Sequence, residues 1–377
     1  MHILHVVGAR PNFMKAAPLL RALAARPGVD QKLVHTGQHY DAAMSDIFFR
    51  QLEMPEPDFN LEVGSGSHAQ QTAAIMAAFE PVVLQQRPDF VVVYGDVNST
   101  MAAALVCSKL NIRVAHVEAG LRSRDRNMPE EINRLLTDQL SDLLFTPSAD
   151  ADINLQNEGI DRDKIHLVGN VMIDTLVRLL PRAAKNPAHN FPSPYALVTL
   201  HRPSNVDDLP WLQEMLATLA GIGDDLTVVF PVHPRTRKRL DEIHASSTSM
   251  SRTLMSTKKS SIHFLEPLPY LEFLALQRDA AIVITDSGGI QEETSFLGTP
   301  CLTVRENTER PITVELGTNQ LVGRDLQRLR AAAKEILAQV ASDKADKKGR
   351  ELPPQLPLWD GRAADRIADI IGRPSGR

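Results

Sequence analysis

The stretch HVEAGLRSRDRNMPEEINR, residues 116–134, crowds acids and arginines together where an apolar run ends. Carboxylates beside cations do acid–base chemistry when they converge on a substrate, and form a solvated surface when they do not. The spacing leaves both interpretations open, so the answer depends on the elements that carry these side chains. The charged residues are Glu118, Asp125, Glu130 and Glu131, with Arg122, Arg124, Arg126 and Arg134.

Three carboxylates stand where a catalytic site of an α/β protein would need them. Asp96 follows the apolar run FVVVYG, Glu118 follows RVAHV, and Glu130 lies in PEE at the start of a predicted helix. Because ligands of open α/β sheets bind beyond the carboxyl ends of the strands, the three acids could meet over one substrate. Each also has a structural interpretation: Asp96 as the cap of a helix that begins near Ser99, and Glu130 as a charge suited to a helix N-terminus. His201, after YALVTL, is equally open to a turn role or a catalytic role.

The segment TDSGGIQEE, residues 285–293, has the pattern of an anion site. A strand runs into Gly288 and Gly289 and a helix begins, so free N–H groups and the positive end of the helix dipole face a ligand. Glu293, about a turn and a half into that helix, could accept both hydroxyls of a ribose. An ordinary strand-to-helix turn with Ser287 as N-cap fits the same residues.

The turn GARPNFMK after the first predicted strand does not have the spacing of a dinucleotide loop. It lacks G-x-G-x-x-G and places Arg10 and Pro11 where close backbone approach requires glycine, which argues against bound NAD. None of the four tyrosines has a lysine four residues later, as the familiar NAD-dependent sugar-nucleotide enzymes require. Arg10 and Lys15 are instead cations at the mouth of the predicted sheet, where they suit a diphosphate.

The elements that must position these residues form two series. Short apolar runs rich in β-branched residues alternate with longer amphipathic segments, from HILHVV to DLLFTPS in the first half and from YALVTLH to CLTV in the second. This alternation predicts βαβ units and parallel sheets buried on both faces. A Pro- and Ala-rich piece, residues 181–194, separates the series, so we expect two doubly wound domains joined near residues 170–190. A chain of 377 residues is long enough for two cores.

Loops and a terminal helix complete the predicted pattern. HASSTSMSRTLMSTKKSS, residues 244–261, is Ser/Thr-rich and aperiodic and predicts a mobile loop, and KADKKGRELPPQLPLWDG predicts a second loop. RAADRIADIIG predicts a closing helix with Ile367, Ile370 and Ile371 on its buried face.

The composition favours a small-molecule partner. A formal net charge of −5, from 41 basic and 46 acidic residues, creates no field that would attract nucleic acid or an anionic membrane. No apolar run approaches the ~18 residues of a membrane span, and HILHVV lacks the basic region and cleavage site of a signal peptide. Cys107 and Cys301 form no close pair of the metal or redox kind, so we expect a cytoplasmic setting.

Ten motifs run in order across nearly the whole chain: GARPNFMKAAPL, TGQHYD, YGDVNST, HVEAGLRS, MPEEINR, VGNVMIDTL, TLHRPSN, PVHPRTR, TDSGGIQEE and TERPITVELGTNQLVG. Together they resemble bacterial UDP-N-acetylglucosamine 2-epimerases of the non-hydrolysing type. The resemblance implies a GT-B type α/β fold, two Rossmann-like doubly wound domains with the active site in the cleft between them. We expect residues 1–170, completed by a C-terminal helix at 360–374, to hold the sugar and the catalytic carboxylates, and residues 171–359 to bind UDP.

The resemblance also implies roles for particular residues. The catalytic residues would be Asp96, Glu118, Glu130 and His201. The UDP contacts would be Arg10, Phe273, Ser287, Gly288, Gly289 and Glu293, with Lys15 and Arg310 near the diphosphate. The implied protein is a homodimer that interconverts UDP-N-acetylglucosamine and UDP-N-acetylmannosamine without a cofactor or a metal.

The expected route is anti-elimination of UDP to 2-acetamidoglucal and re-addition. The proton on C2 has no adjacent ring carbonyl to acidify it, so loss of UDP from C1 together with that proton avoids a carbanion. This route needs an acid–base group on either face of C2 and positive charge around the departing diphosphate.

Two departures from the family pattern and several alternatives remain. QHYDAAMSD stands where many members have a shorter QHRxM pattern, which puts activation by a second UDP-N-acetylglucosamine in doubt, and the insertion at 244–261 looks peripheral. The alternatives are a UDP-2,3-diacetamido-2,3-dideoxy-glucuronate 2-epimerase, a hydrolysing 2-epimerase and a GT-B glycosyltransferase. A glycosyltransferase or a non-catalytic UDP-sugar-binding protein would have little use for three acids. The uronate would need a cation for its extra carboxylate, for which the candidates are Arg122, Arg124, Arg126 and Arg202.

Overall fold

The computed structural model describes residues 1–38, 49–185, 191, 194–224, 226–246, 262–345 and 356–373. The chain divides into two compact units, Met1–Arg178 with Pro357–Arg377, and Leu179–Leu356. The first division falls inside the helix Val171–Ala184, a few residues after the position suggested by the sequence. The QHYDAAMSD segment beyond Gln38 and most of the 244–261 insertion lie outside the described residues.

A single seven-stranded sheet forms the centre of the first unit. Its strands pair in parallel in the order β3-β2-β1-β4-β5-β6-β7. Every residue of FVVVY in β4 is buried, because helices cover both faces of a doubly wound sheet. The strands are β1 (His2–Val7), β2 (Asp30–His35), β3 (Phe59–Asn60), β4 (Phe90–Tyr94), β5 (Arg113–Val117), β6 (Leu143–Thr146) and β7 (Ile165–Leu167). The helices in this part of the chain are α1 (Arg10–Ala24), α2 (His68–Gln86), α3 (Asn98–Lys109), α4 (Pro129–Leu140), α5 (Ala149–Asn157) and α6 (Val171–Ala184).

The second unit contains a six-stranded parallel sheet in the order β10-β9-β8-β11-β12-β13. One apolar cluster of this unit packs strand residues such as Val198 and Ile284 against Leu212, Leu219 and Leu329 from the surrounding helices. The strands are β8 (Tyr195–Thr199), β9 (Thr227–Pro231), β10 (Ile262–Leu265), β11 (Ile282–Thr285), β12 (Cys301–Thr303) and β13 (Asn319–Leu321). The helices are α7 (Pro203–Val206), α8 (Leu209–Ile222), α9 (Pro234–Ser246), α10 (Tyr270–Asp279), α11 (Gly288–Leu297), α12 (Ile312–Glu315) and α13 (Leu326–Ala345).

Both sheets have the strand order of a Rossmann-like doubly wound fold. The winding direction reverses between β1 and β4 in the first unit and between β8 and β11 in the second. Ligands of such sheets bind outside the carboxyl ends of the strands at that reversal. The fold class expected from the sequence is confirmed, and each unit offers one reversal point to inspect.

The last helix, α14 (Ala363–Ile371), belongs to the first unit and packs against α1. Asp174 of α6 caps it, because its carboxylate accepts the backbone N–H groups of Ala363 and Ala364 at 3.1 and 2.7 Å. Ile367 and Ile371 are buried, but Ile370 is only half-buried, contrary to the prediction. The buried stripe runs through Ala363, Ala364, Ile367, Ala368 and Ile371, and the helical period puts residue 370 at its edge.

Helices of the described chain include none that is both long and apolar enough to span a membrane.

Candidate active site

Asp96 and Glu118 lie at neighbouring strand ends in the first unit. Strands β4 and β5 pair with Tyr94 opposite Val117, and the N–H of Gly95 donates to the carbonyl of Val117 at 2.9 Å. Both acids therefore leave the sheet at one edge, next to the reversal point. The backbone of Glu118 has φ +73°, in the left-handed region that residues other than glycine rarely adopt.

Glu118 forms a buried ion pair with Lys15 of α1. Nζ of Lys15 lies 2.6 Å from Oε1 of Glu118, and the two side chains are 5% and 3% exposed. Gly95 makes room for this pair, because a Cβ at that position would lie 2.6 Å from Nζ. The attraction between the two charges offsets only part of the cost of removing both of them from water. Lys15, which the resemblance puts near the diphosphate, thus contacts a candidate acid in this structure.

Asp96 does not cap the helix that follows it. That helix begins at Asn98 with Val97 as its N-cap, and Oδ2 of Asp96 instead accepts from Nη1 of Arg134 at 2.9 Å. Arg134 is buried and also donates from Nε to Glu131 at 3.1 Å. The side chain of Asp96 remains 25% exposed, so its carboxylate has both a fixed partner and access from solvent.

The two acids in the first turn of α4 have opposite environments. Glu131 is buried and accepts from the backbone N–H and the hydroxyl of Ser123, at 2.9 and 3.0 Å, and from the N–H of Arg124 at 2.8 Å. It therefore fastens the charged loop to the helix. Glu130 is exposed, and its carboxylate forms no hydrogen bond or ion pair with any described residue. Of the pair, Glu130 is the acid accessible to a ligand.

A buried charge network centred on Asp138 joins the segments that carry these acids. Oδ1 of Asp138 lies 2.6 Å from Nδ1 of His116, and Oδ2 accepts from Nη2 of Arg122 at 2.7 Å. Burial alone would raise the pKa of Asp138, but the charges of His116 and Arg122 hold that pKa below its ordinary value. His116 also donates from Nε2 to the carbonyl of Gly95 at 2.8 Å, which ties the network to the turn before Asp96.

In the second unit, the DSGG segment follows β11 and opens α11. Ser287 occupies the N-cap position without using its side chain to cap the helix. A Cβ at Gly288 would lie 2.5 Å from Nη1 of Arg310, so glycine lets the guanidinium lie against the helix N-terminus. Arg310 is buried and already pairs with Glu292 at 2.7 Å and with Glu309 at 2.8 Å.

Glu293 is buried in α11 and held by two residues of α10. The hydroxyl of Tyr270 donates to its Oε1 at 2.8 Å, and the amide of Gln277, in the orientation that satisfies both of its atoms, donates to Oε2 at 3.0 Å. Burial, reinforced by the adjacent carboxylate, raises the pKa of Tyr270 well above its ordinary value. Phe273, on the same helix, is half-buried against the sheet. Sequence reasoning missed Tyr270 and Gln277, although their spacing of seven puts both on one helix face.

His201 follows β8 and meets Asp286, which follows the neighbouring strand β11. Nδ1 of His201 lies 3.0 Å from Oδ1 of Asp286, and the two side chains are 38% and 0% exposed. The sequence pattern of the DSGG segment predicts a role for its glycines and none for Asp286. Its position one residue after an apolar strand was the signal available.

Comparison with known proteins identifies the family. The family model described as UDP-N-acetylglucosamine 2-epimerase matches residues 21–372. A UDP-N-acetylglucosamine 2-epimerase from Methanocaldococcus jannaschii is 43% identical over 375 residues, which cover 97% of each chain. A crystal structure of the enzyme from that organism, in complex with UDP-GlcNAc and UDP, superposes with a TM-score of 0.87, at 43% identity, covering 98% of this chain and 99% of that one.

The chain belongs to the UDP-N-acetylglucosamine 2-epimerase family. A UDP-2,3-diacetamido-2,3-dideoxy-D-glucuronate 2-epimerase from Pseudomonas aeruginosa is also similar, at 39% identity over 376 residues, 99% of this chain and all of that one. The relatives thus include an archaeal protein as well as a bacterial one, so the similarity is wider than the bacterial group suggested by the motifs.

In this member of the UDP-N-acetylglucosamine 2-epimerase family, the arginines of the charged loop and its surroundings differ in burial, which could not be predicted from the sequence. Arg122 and Arg134 are buried counter-ions. Arg124 and Arg126 are exposed loop residues, and Arg202 is half-buried with Nη2 3.6 Å from Glu309.

Proposed function

We propose that the protein is a UDP-N-acetylglucosamine 2-epimerase, an isomerase that interconverts UDP-N-acetylglucosamine and UDP-N-acetylmannosamine. The observation that carries the proposal is the pair of acids at the adjacent ends of β4 and β5, Asp96 and Glu118, with the exposed Glu130 on α4 nearby in the chain. Epimerisation at C2 requires a proton acceptor and a proton donor on opposite faces of one carbon, and a set of carboxylates supplies both.

The proposed reaction is an elimination followed by an addition. One carboxylate takes the C2 proton, the C1–O bond breaks, its electron pair leaves with UDP, and a C1=C2 double bond forms. A second acid then returns a proton to C2 from the opposite face while UDP adds again at C1. Asp96, Glu118 and Glu130 are the proposed acid–base groups, and His201 the proposed group beside the departing diphosphate.

UDP is proposed to bind through the second unit. The N-terminus of α11, with Ser287, Gly288 and Gly289, presents N–H groups and dipole charge suited to a diphosphate. Glu293 is proposed to accept the ribose hydroxyls, supported by the fixed orientation that Tyr270 gives it. The remaining proposed UDP contacts are Phe273 and Arg310, with Arg10 and Lys15 from the first unit. The sugar is proposed to bind to the first unit.

Incubation with UDP-N-acetylglucosamine in D₂O tests the proposal. We expect NMR to show deuterium at C2 of both UDP-N-acetylglucosamine and UDP-N-acetylmannosamine, because each passage through the glucal exchanges that proton with solvent. Free N-acetylmannosamine and UDP as the only products would indicate a hydrolysing epimerase. A sugar transferred to an added acceptor without exchange at C2 would indicate a glycosyltransferase.

We also propose the finer assignments that the motifs imply: a non-hydrolysing enzyme of the bacterial type that acts in the cytoplasm as a homodimer. The motif order across nearly the whole chain supports them. Light scattering of the purified protein tests the dimer, since a mass near the 41.6 kDa of one chain would exclude it.

UDP-2,3-diacetamido-2,3-dideoxy-glucuronate is the second candidate substrate, supported by the 39% identity to the Pseudomonas aeruginosa epimerase. Its C6 carboxylate needs a cation, and the environments narrow the choice: Arg122 is buried against two acids, whereas Arg124, Arg126 and Arg202 retain exposure. Side-by-side assays decide between the substrates. A kcat/KM for the uronate that exceeds the value for UDP-N-acetylglucosamine by about a hundredfold or more would replace the first assignment.

A further inference from the structure

We propose that Asp286 is the positioning residue for His201, holding its imidazole so that Nδ1 carries a proton and Nε2 is the ring atom left for a ligand. The significance of this arrangement for epimerisation rests on the proposed function. The arrangement itself is a property of the folded second unit and can be tested without any substrate.

The two residues are brought together by strand pairing. Strand β8 pairs in parallel with β11, with Thr199 opposite Thr285, so the segments that follow these strands emerge side by side. Asp286 comes one residue after its strand and His201 two residues after the other. Because both strands lie at the reversal point of the sheet, the pair sits where a doubly wound fold binds its ligand.

The side chain of Asp286 is buried, and the donors to its carboxylate all come from the short segment 201–205. Its carboxylate accepts the backbone N–H groups of His201, at 3.1 Å, and of Arg202, at 2.9 Å, and the side-chain amide of Asn205 at 3.1 Å. Burial acts to raise the pKa of Asp286, but the hydrogen bond and charge of His201 bring that pKa below its ordinary value. Asp286 is therefore a carboxylate, which can only accept.

An acceptor at Nδ1 determines the tautomer of the ring. Nδ1 of His201, 3.0 Å from Oδ1, must carry hydrogen whether the ring is neutral or protonated. Nε2 makes no hydrogen bond within the described part of the chain, and the His201 side chain is 38% exposed. A protonated ring then offers one N–H outward, in a direction set by a buried partner.

A fixed orientation suits His201 for stabilising the negative charge that develops on the leaving group during the proposed reaction. When the C1–O bond breaks, negative charge grows on the diphosphate oxygen that leaves. A pre-oriented N–H stabilises such charge without reorganisation, whereas a ring free to rotate must first be ordered. Asp286 is thus expected to act on turnover through His201 and to have no contact of its own with the reacting atoms.

A double-mutant cycle in the full-length protein tests the coupling. We expect Asp286→Asn to lower kcat by roughly 10²-fold or more, in the range of general acid–base effects, and UDP affinity to change only a few-fold. In a His201→Gln background the same substitution should change kcat by less than about threefold, since the group it acts through is gone. Losses that multiply in the double variant would overturn the proposal.

Two controls separate positioning from anchoring of the loop. Asn205→Ala removes one donor from Asp286 but leaves the imidazole pair, and we expect it to change kcat only a few-fold. A loss as large as that of Asp286→Asn would show that the loop, and not the ring, is what Asp286 serves. Asp279→Asn, at the exposed end of α10, is the matched substitution for charge and should leave kcat unchanged.

NMR of ¹⁵N-histidine-labelled parent protein reads the tautomer directly and requires neither activity nor a folded variant. We expect Nδ1 of His201 to carry a proton in the neutral ring as well as in the protonated ring. A neutral ring protonated at Nε2 alone would overturn the inference even if the protein proves to be an active epimerase. Conversely, the expected tautomer in a protein without epimerase activity would leave the positioning role standing and refute the proposed function.

Discussion

Glu130 and Glu131 are adjacent in the chain and identical in type, yet their surroundings make them opposites. Glu131 satisfies donors from Ser123, Arg124 and Arg134, so its carboxylate is part of the architecture of the loop. Glu130 is exposed on the first turn of the same helix. At the scale of the residue, a carboxylate that already accepts hydrogen bonds from the protein is structural, and one that accepts none can meet a ligand. Glu130 and Glu131 allow the two cases to be compared directly.

Replacing each acid by its amide should separate activity from stability. We expect Glu130→Gln to lower turnover by roughly 10²- to 10⁴-fold with an unchanged thermal midpoint, because an exposed general acid–base group contributes to rate and little to folding. Glu131→Gln should destabilise the protein by about 1–3 kcal/mol, because an amide turns an N–H toward donors that need an acceptor. Calorimetry and initial-rate assays measure both. A Glu131→Gln protein with the parent midpoint would contradict the structural role.

At the scale of elements, the long apolar runs were predictable and the short or polar strands were not. The apolar runs of β1, β4 and β11 are recognisable in the sequence because a strand buried on both faces must be apolar throughout. Strands β3 and β13 have two and three residues, FN and NQL, and form because a neighbouring strand offers an open edge. Helix α9 extends to Ser246, into the stretch predicted to be a loop, since its residues HAS continue a helix already formed.

The candidate site was predictable as far as it depends on strand ends. Asp96, Glu118 and His201 follow apolar runs, so a local pattern locates them. The pairing of Asp96 with Arg134 and of His201 with Asp286 was not predictable, because these contacts join elements far apart in sequence through the order of the strands. Pairing of this kind is a property of tertiary packing, which spacing within one segment does not contain.

His5 in β1 gives the first sheet a dependence on pH. The side chain is fully buried between Tyr94 and Gln31, and burial lowers its pKa from 6.5 to about 4. Between pH 6.5 and about 4, His5 is therefore protonated in the unfolded chain but remains neutral in the folded chain. The stabilisation is complete above pH 6.5 and is lost as the pH falls, by about 3 kcal/mol in total.

The measurement is the free energy of unfolding in denaturant at pH 7 and pH 4.5. We expect His5→Gln to show a smaller loss of stability between these pH values than the parent protein. The comparison must be a difference, because burial also lowers the pKa of His35 and His166, which titrate in the same sense. His2→Gln, at the start of the same strand, is the control, and an equal change in both variants would remove His5 as the cause.

At the scale of the whole molecule, each unit has its own sheet, its own apolar core and its own reversal point. The proposed roles are divided in the same way: acids in the first unit and the UDP groups mainly in the second. Binding of UDP, which lacks the sugar, should therefore be detectable as a change at residues of the second unit.

Hydrogen exchange with UDP tests this division. The first N–H groups of α11 have no acceptor within the helix, so we expect bound UDP to slow exchange at Gly288, Gly289 and Ile290. Uridine, which lacks the diphosphate, should protect these amides much less. In Glu293→Ala, UDP at the same concentration should protect them less because binding is weaker. Protection that is equal with uridine would place the diphosphate elsewhere.

The left-handed backbone of Glu118 sets the thermal stability of the protein against the part in catalysis that we propose for this residue. A side chain in that conformation costs about 1–2 kcal/mol, which glycine would not incur. Selection for heat resistance alone would favour glycine there and an apolar residue in place of Lys15, its buried partner. The double variant Lys15→Met, Glu118→Gly should accordingly match or exceed the parent in thermal midpoint while losing epimerase activity, and a marked fall in its midpoint would contradict this account. An engineer who selects members of this family by stability alone would therefore be led to discard an acid for which we propose a role in the reaction.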